Sequence, residues 1–221
     1  MNRSWIAPFL PFALACSDGV SALQTGSLEL ASPVDGFQLF SKDALTIKAS
    51  AADTKLLQSV KLYAGDYLVK ACAADPVAES IDCKAELTAA DVAAQVKDGV
   101  LEVRAVSLDD DDGERSRTAR VTVTSLAVNL IEPLGPQAKG TGQLKVSVRG
   151  EVPATLVQVS YDDGWPLRQW TQEPYEAEID WAALVGLCSH KLIATVVDSA
   201  SRTATHQREL LGRTACGLQG T

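Results

Sequence analysis

From Leu28 onward the chain alternates apolar and polar positions with a period of two. Leu45, Ile47 and Ala49 fall on one side of a strand, and Thr46 and Lys48 on the other. Leu144, Val146 and Val148 alternate in the same way with Lys145 and Ser147. Short runs of this kind, bounded by Gly, Pro and Asp, predict half-buried antiparallel strands. The exception is Thr88–Val96, a short helical pattern in which Thr88 can cap and Asp91 stands at the third position after it. Trp181–Val185 occupies the corresponding place later in the chain, and both read as structural turns before a strand.

The pattern occurs twice. Ala31–Gly36, Leu45–Ala49, Val60–Asp66 and Leu101–Asp109 are answered by Ile131–Gly135, Leu144–Val148, Val157–Gly164 and His190–Asp198, roughly 90 to 100 residues later. That spacing is the size of a domain. Ser-Arg-Thr-Ala follows in both copies, at Ser116–Ala119 and Ser201–Ala204. This order of elements resembles tandem bacterial immunoglobulin-like domains of exported and surface proteins. The resemblance implies an all-β chain of two tandem Ig-like antiparallel β-sandwiches, over residues 27–125 and 126–212, joined by a very short linker near Thr124–Ala127. So short a linker predicts a stiff, elongated pair. The resemblance brings no catalytic residues with it, because sandwiches carry many unrelated functions.

The N-terminus reads as an address. Residues 1–15 form a secretory signal, with Arg3 ahead of the apolar stretch Ile6–Ala15. The stretch is shorter than the roughly 20 residues that a spanning helix needs. Ala13-Leu14-Ala15-Cys16 resembles a bacterial lipobox, which implies a lipid on Cys16, a tether over 16–26 and anchorage by lipid alone. The same resemblance to bacterial lipoproteins implies, from Ser17 after that cysteine, the outer membrane. The competing reading is plain cleavage after Ala15.

Five cysteines are an odd number for an exported protein, and setting Cys16 aside leaves an even set. The predicted pairs are Cys72–Cys83 and Cys188–Cys216, the second pinning a tail over 213–221. Neither is expected to link the two sheets of a sandwich. A four-cysteine metal site would need C-x-x-C knuckles, which the sequence lacks.

Composition narrows the chemistry. The 221 residues are 46% hydrophobic and carry a net charge of −8 without a basic run, a poor match to nucleic acid phosphates. Only His190 and His206 are present. His190 reads as a half-buried packing position and His206 as solvent-facing on the last strand. No Gly-x-Ser-x-Gly elbow, His-Glu-x-x-His helix or phosphate-binding loop occurs, so no enzyme is expected.

Two clusters remain as candidate sites. The run Asp109-Asp110-Asp111-Asp112-Gly113-Glu114 offers Asp109, Asp111, Asp112 and Glu114 as ligands for Ca²⁺, which favours clustered hard oxygens. The run does not match an EF-hand, and a solvated hairpin turn is the favoured reading. No other cofactor is expected. Trp165 and Trp170, with Tyr161, Tyr175 and Trp181 nearby, are either packing residues, a protein contact or a stacking platform for sugar rings. The expected role is a non-catalytic cell-envelope module, a spacer or a binder of an envelope protein, with glycan binding through the aromatics as the alternative.

Overall fold

The computed structural model describes residues 26–133, 140–161, 164–181 and 190–210. The signal segment, Cys16 and the tether up to Thr25, with Cys188 and Cys216, lie outside the described residues.

The described chain is built of strands with one short helix. In order these are β1 (Gly26–Ser32), β2 (Gln38–Phe40), β3 (Leu45–Ala64), β4 (Tyr67–Leu87), α1 (Ala89–Gln95), β5 (Val100–Asp109) and β6 (Glu114–Thr124). They continue with β7 (Leu126–Glu132), β8 (Thr141–Gly150), β9 (Ala154–Tyr161), β10 (Trp165–Trp170), β11 (Glu176–Asp180), β12 (His190–Asp198) and β13 (Thr203–Leu210). The all-β expectation holds.

The first sandwich is organised by the β3–β4 hairpin, which turns at Gly65 and Asp66. Gly65 has φ +57, a left-handed value that glycine adopts without cost to a side chain. Leu45–Ala49 and Val60–Ala64 read as separate strands in the sequence, yet they belong to one 20-residue strand. The reason is β4, whose ladder accompanies β3 along both halves, with a wide register break between Ala52 and Leu57 and further shifts at Leu57/Ser59 and Leu62/Tyr63. At that break the hairpin passes from one layer to the other. Its outer half, Lys48–Asp53, pairs with β1, whereas Leu57–Ala64 pairs with β5. β6 follows β5 antiparallel, and β2 runs parallel along the far side of β6.

Period-two alternation then fills the space between layers. Ile47, Ala49, Ile81 and Ala85 from one side meet Val60, Leu62, Leu101, Val103 and Val121 from the other in a single buried cluster. Full burial of such a side chain contributes about 1.5–3 kcal/mol. The helix forms as the sequence predicts. Asp91 N–H donates to the Thr88 hydroxyl, and the Asp91 carboxylate accepts from the Thr88 N–H, a closed capping box. Val92 is the helix's buried residue and joins the same cluster.

The second sandwich has layers β11-β8-β7 and β10-β9-β12-β13. Leu130, Leu144 and Val146 face Val157, Val159, Leu192, Ala194 and Val196 across its core. Trp181 is the largest fully buried side chain. It fits because Gly142 has no side chain: a Cβ there would stand 2.9 Å from the indole Nε1.

Cys72 and Cys83 are bonded, as the spacing predicts. Both cysteines lie on β4, Cys72 opposite Val60 and Cys83 opposite Ala49, within one six-stranded sheet, so this bridge joins no two separate sheets.

Candidate functional site

The most developed polar constellation lies where the end of the first sandwich meets the start of the second. β6 ends at Thr124 and β7 begins at Leu126, so the strands follow with one residue between them. β2 uses one edge for β6, and its other edge faces β7. There the Asn129 side chain stands in for a strand: its Oδ1 accepts from the Gln38 backbone N–H at 2.9 Å, and its Nδ2 donates to the Gln38 carbonyl at 2.7 Å. Gln38 reciprocates. Its Oε1 accepts from the Val128 N–H at 3.1 Å, and its Nε2 donates to the Thr205 carbonyl on β13. Asn129 is buried, so these are shielded bonds whose loss would strand backbone groups.

Charged residues surround this amide pair. The Arg149 guanidinium donates twice to the Asp43 carboxylate, Nε to Oδ2 and Nη2 to Oδ1, each at 3.0 Å. The fork geometry is the strong form of such a pair, and the hydrogen bonding to Asp43 raises the pKa of the Arg149 guanidinium above its ordinary value. Lys42 lies 2.8 Å from Glu151 and, by its hydrogen bond, lowers that carboxyl's pKa. Arg202 donates to the Ser125 hydroxyl at 3.2 Å and to Asp198 Oδ2 at 2.7 Å. A cavity of about 300 Å³ opens beside the junction, lined by Phe37, Gln38, Phe40, Asp43, Asn129 and Arg149 among others. Its polar groups are already paired with one another, which suits holding two sandwiches in register more than taking a ligand.

The acidic run is a hairpin turn. Asp109 is buried, and its Oδ1 accepts the amides of Asp111 at 3.1 Å and Gly113 at 2.6 Å. Asp111 points away to Lys55 Nζ at 2.8 Å. Among the described residues no group of three His, Cys, Asp or Glu is arranged to hold a metal, so Asp109, Asp111, Asp112 and Glu114 are not brought together as ligands.

The two candidate tryptophans separate. Trp165 is 78% exposed on the edge strand β10, next to Pro166 and a register break before Arg168. Trp170 packs against the core, stands edge-on to the buried Tyr175 at 6.5 Å, and donates its Nε1–H to the Glu176 carbonyl. It is a packing residue, not half of a platform.

His206 corrects its expected exposure. It is 7% exposed, and its Nδ1 accepts from the Leu130 N–H at 3.0 Å, tying β13 to β7 across the open side of the sandwich. Burial, with the Arg208 charge added, lowers its pKa to about 4. Thr205, Gln207 and Arg208 around it are polar, so no alternation in these residues places it inward. The side chain of His190 lies outside the described residues.

No protein-family model matches the chain, and no curated protein matches it. Solved structures do. Fibronectin(III)-like modules of CbhA from Clostridium thermocellum align with 88% of this chain and 98% of their own, at 16% identity and a TM-score of 0.38. A bacterial ice-binding adhesin aligns with 86% of this chain at 12% identity and a TM-score of 0.30, and this chain spans 64% of it. Latent PorU from Porphyromonas gingivalis aligns with 93% of this chain at 12% identity and a TM-score of 0.38, and this chain spans 21% of it. These likenesses assign the chain no ligand and no activity.

Proposed function

We propose that this chain is a non-catalytic, exported cell-envelope module that acts as a spacer or protein-binding element, held to the outer membrane by a lipid on Cys16. The observation that carries the reading is the junction. Asn129 and Gln38 replace strand rungs with their side-chain amides, and Asp43–Arg149 adds a forked ion pair. Such an arrangement fixes the angle between two sandwiches, which a spacer needs. The Cys72–Cys83 bond suits an oxidising compartment. The two tandem domains, 27–125 and 126–212, would be the units so fixed.

The test is a distance distribution between spin labels, one on each sandwich, in the unaltered chain and in the Asp43→Ala, Asn129→Ala double variant. A narrow distribution that broadens in the variant is expected. A distribution already broad in the unaltered chain sinks the spacer reading. Intact mass of the membrane-associated protein tests the lipid on Cys16, and Cys16→Ser should release the chain from the membrane fraction.

A second reading rests on Trp165 alone. Its exposed ring on an edge strand suits stacking on a sugar. Trp165→Ala that folds normally and loses retention on a glycan array would favour it, and unchanged retention would remove it.

A further inference from the structure

We propose that a cleft beside the β3–β4 turn binds an acidic saccharide, a sugar chain carrying carboxylates, through Arg104 and Arg120. A cavity of about 390 Å³ opens there, with Asp66, Gln95, Lys97, Glu102, Arg104 and Arg120 in its lining. This goes beyond the spacer reading and does not depend on it. Its residues belong to β5, β6 and two turns of the first sandwich, not to the junction or to the strand that carries Trp165.

Two turns wall the cleft. The β3–β4 turn is held to β5 by the Gly65 N–H, which donates to the Glu102 carbonyl at 2.7 Å. The turn between α1 and β5 is closed by Lys97 and Val100, which exchange backbone hydrogen bonds at 2.9 Å. Lys97 Nζ lies 3.3 Å from Asp66 Oδ2, so these two charges answer each other from wall to wall. The floor is the outer face of β5 and β6. Leu101, Val103, Ala119 and Val121 are buried in the core, so alternation turns Glu102, Arg104 and Arg120 outward together. Glu102 stands opposite Arg120 in the ladder, which makes Arg104 and Arg120 diagonal neighbours on this face. Both arginines are held. The Arg120 N–H donates to Asp35 Oδ1 at 2.8 Å, and its carbonyl accepts from the Gly36 N–H at 2.9 Å. The Arg104 guanidinium lies 4.7 Å from the centroid of the Tyr63 ring, a cation–π contact that fixes its position.

Among the described residues neither guanidinium is joined to a carboxylate, and Glu102 is joined to no cation. Planar arginine forks match a carboxylate, and a cleft concentrates their field on whatever enters it. The charges of the cleft set what that can be. With Lys97 and Asp66 answering each other, two positive groups and one negative group remain, a match to one negative charge at a time. Glu102 and Asp66 disfavour a phosphate dianion. Glu102 can instead accept from hydroxyls, and the Gln95 amide can both donate and accept, as a polyhydroxylated ring requires. A sugar with a single carboxylate per ring uses all of these groups, whereas an acidic peptide brings the charge without the hydroxyls.

The experiment is calorimetric titration of the full chain carrying Cys16→Ser, so that no lipid calls for detergent. The probes are trigalacturonate, neutral trigalactose, inorganic phosphate and a peptide of three aspartates. Trigalacturonate should bind, and the other probes should bind about tenfold more weakly or not at all. Arg104→Gln and Arg120→Gln should each weaken trigalacturonate about tenfold with an unchanged Tm. Lys145→Gln, on the second sandwich, should leave binding as it is. If Arg104→Gln lowers the Tm by disturbing Tyr63, the exposed Arg120 decides alone. A chain that does not bind trigalacturonate overturns the proposal, and so does binding that Arg120→Gln leaves intact. Equal binding of trigalactose, phosphate or the aspartate peptide overturns the acidic saccharide as the ligand. None of these outcomes touches the spacer reading, which the spin-label distances decide.

Discussion

Asp109 and Asp198 do the same work in the two sandwiches. Each stands at the end of the strand before the last hairpin, each is buried, and each offers its Oδ1 to the amides two and four residues on. For Asp198 these donors are Ala200 and Arg202, both at 2.9 Å, and the Arg202 guanidinium adds a bond to Oδ2. The side chain satisfies backbone groups that the tight turn would otherwise leave unpaired. Asp198→Ala should therefore lower the Tm clearly, while Asp110→Ala, at an exposed place in the equivalent turn, should leave it nearly unmoved. Thermal melts of the two variants check this.

Burial alone would raise the Asp198 pKa, but the Arg202 amide and guanidinium and the Ala200 amide outweigh it and hold the carboxyl below its ordinary value. The Lys55 amide, against burial and with help from Arg115, does the same for Asp53. Groups with depressed pKa contribute stability above their unfolded value and lose it as pH falls through the folded one. Both contributions should be present at neutral pH and fade below the ordinary carboxylate value of 3.8. Acid denaturation of Asp53→Asn and Asp198→Asn should show a flatter limb in that range.

His206 makes the stability of the second sandwich pH-sensitive at milder acidity. The unfolded chain takes up its proton near 6.5 and the folded chain near 4, because burial and then the Arg208 charge disfavour the imidazolium. The unfolded state thus binds more protons between these values, and stability falls as pH drops from 6.5 towards 4. The loss is on the order of 2–3 kcal/mol. Urea melts across this range measure it, and His206→Gln should remove most of the slope.

Asn129→Ala leaves the Gln38 N–H and carbonyl without these partners at a half-buried place. The expected cost is about 1–3 kcal/mol. Hydrogen exchange at the Gln38 amide should rise by more than at Leu62 in the first core, and equal acceleration at both would show general loosening instead.

Reducing the Cys72–Cys83 bond, or replacing both cysteines with Ala, frees a short loop. Chain entropy puts the loss at about 3 kcal/mol. A shift in the urea midpoint without a change in slope would report it.

Much of the architecture was legible in the residues. Alternation at Leu45–Ala49 and Leu144–Val148, the Thr88–Asp91 cap and the Cys72–Cys83 spacing all depend on near neighbours in sequence, and all are present. What was hidden depends on distant ones. Nothing near His206 tells that Leu130 will offer it an N–H, and Gln38 and Asn129 are ordinary polar residues until β2 and β7 are laid side by side. The fused β3 was missed because its continuity comes from β4, not from its own pattern. Trp165 and Trp170 look equivalent in sequence, and only Tyr175 and the Glu176 carbonyl separate them.

Gln38 is bonded to residues 90 and 91 places later. The chain is synthesised from its N-terminus, so the first sandwich can fold while Asn129 is still to come. For that interval the tip of β2 must be solvated by water or held by whatever attends the emerging chain. The last act of folding is then the docking of β7 and β13 onto the waiting edge of β2, so the junction closes only after both cores exist.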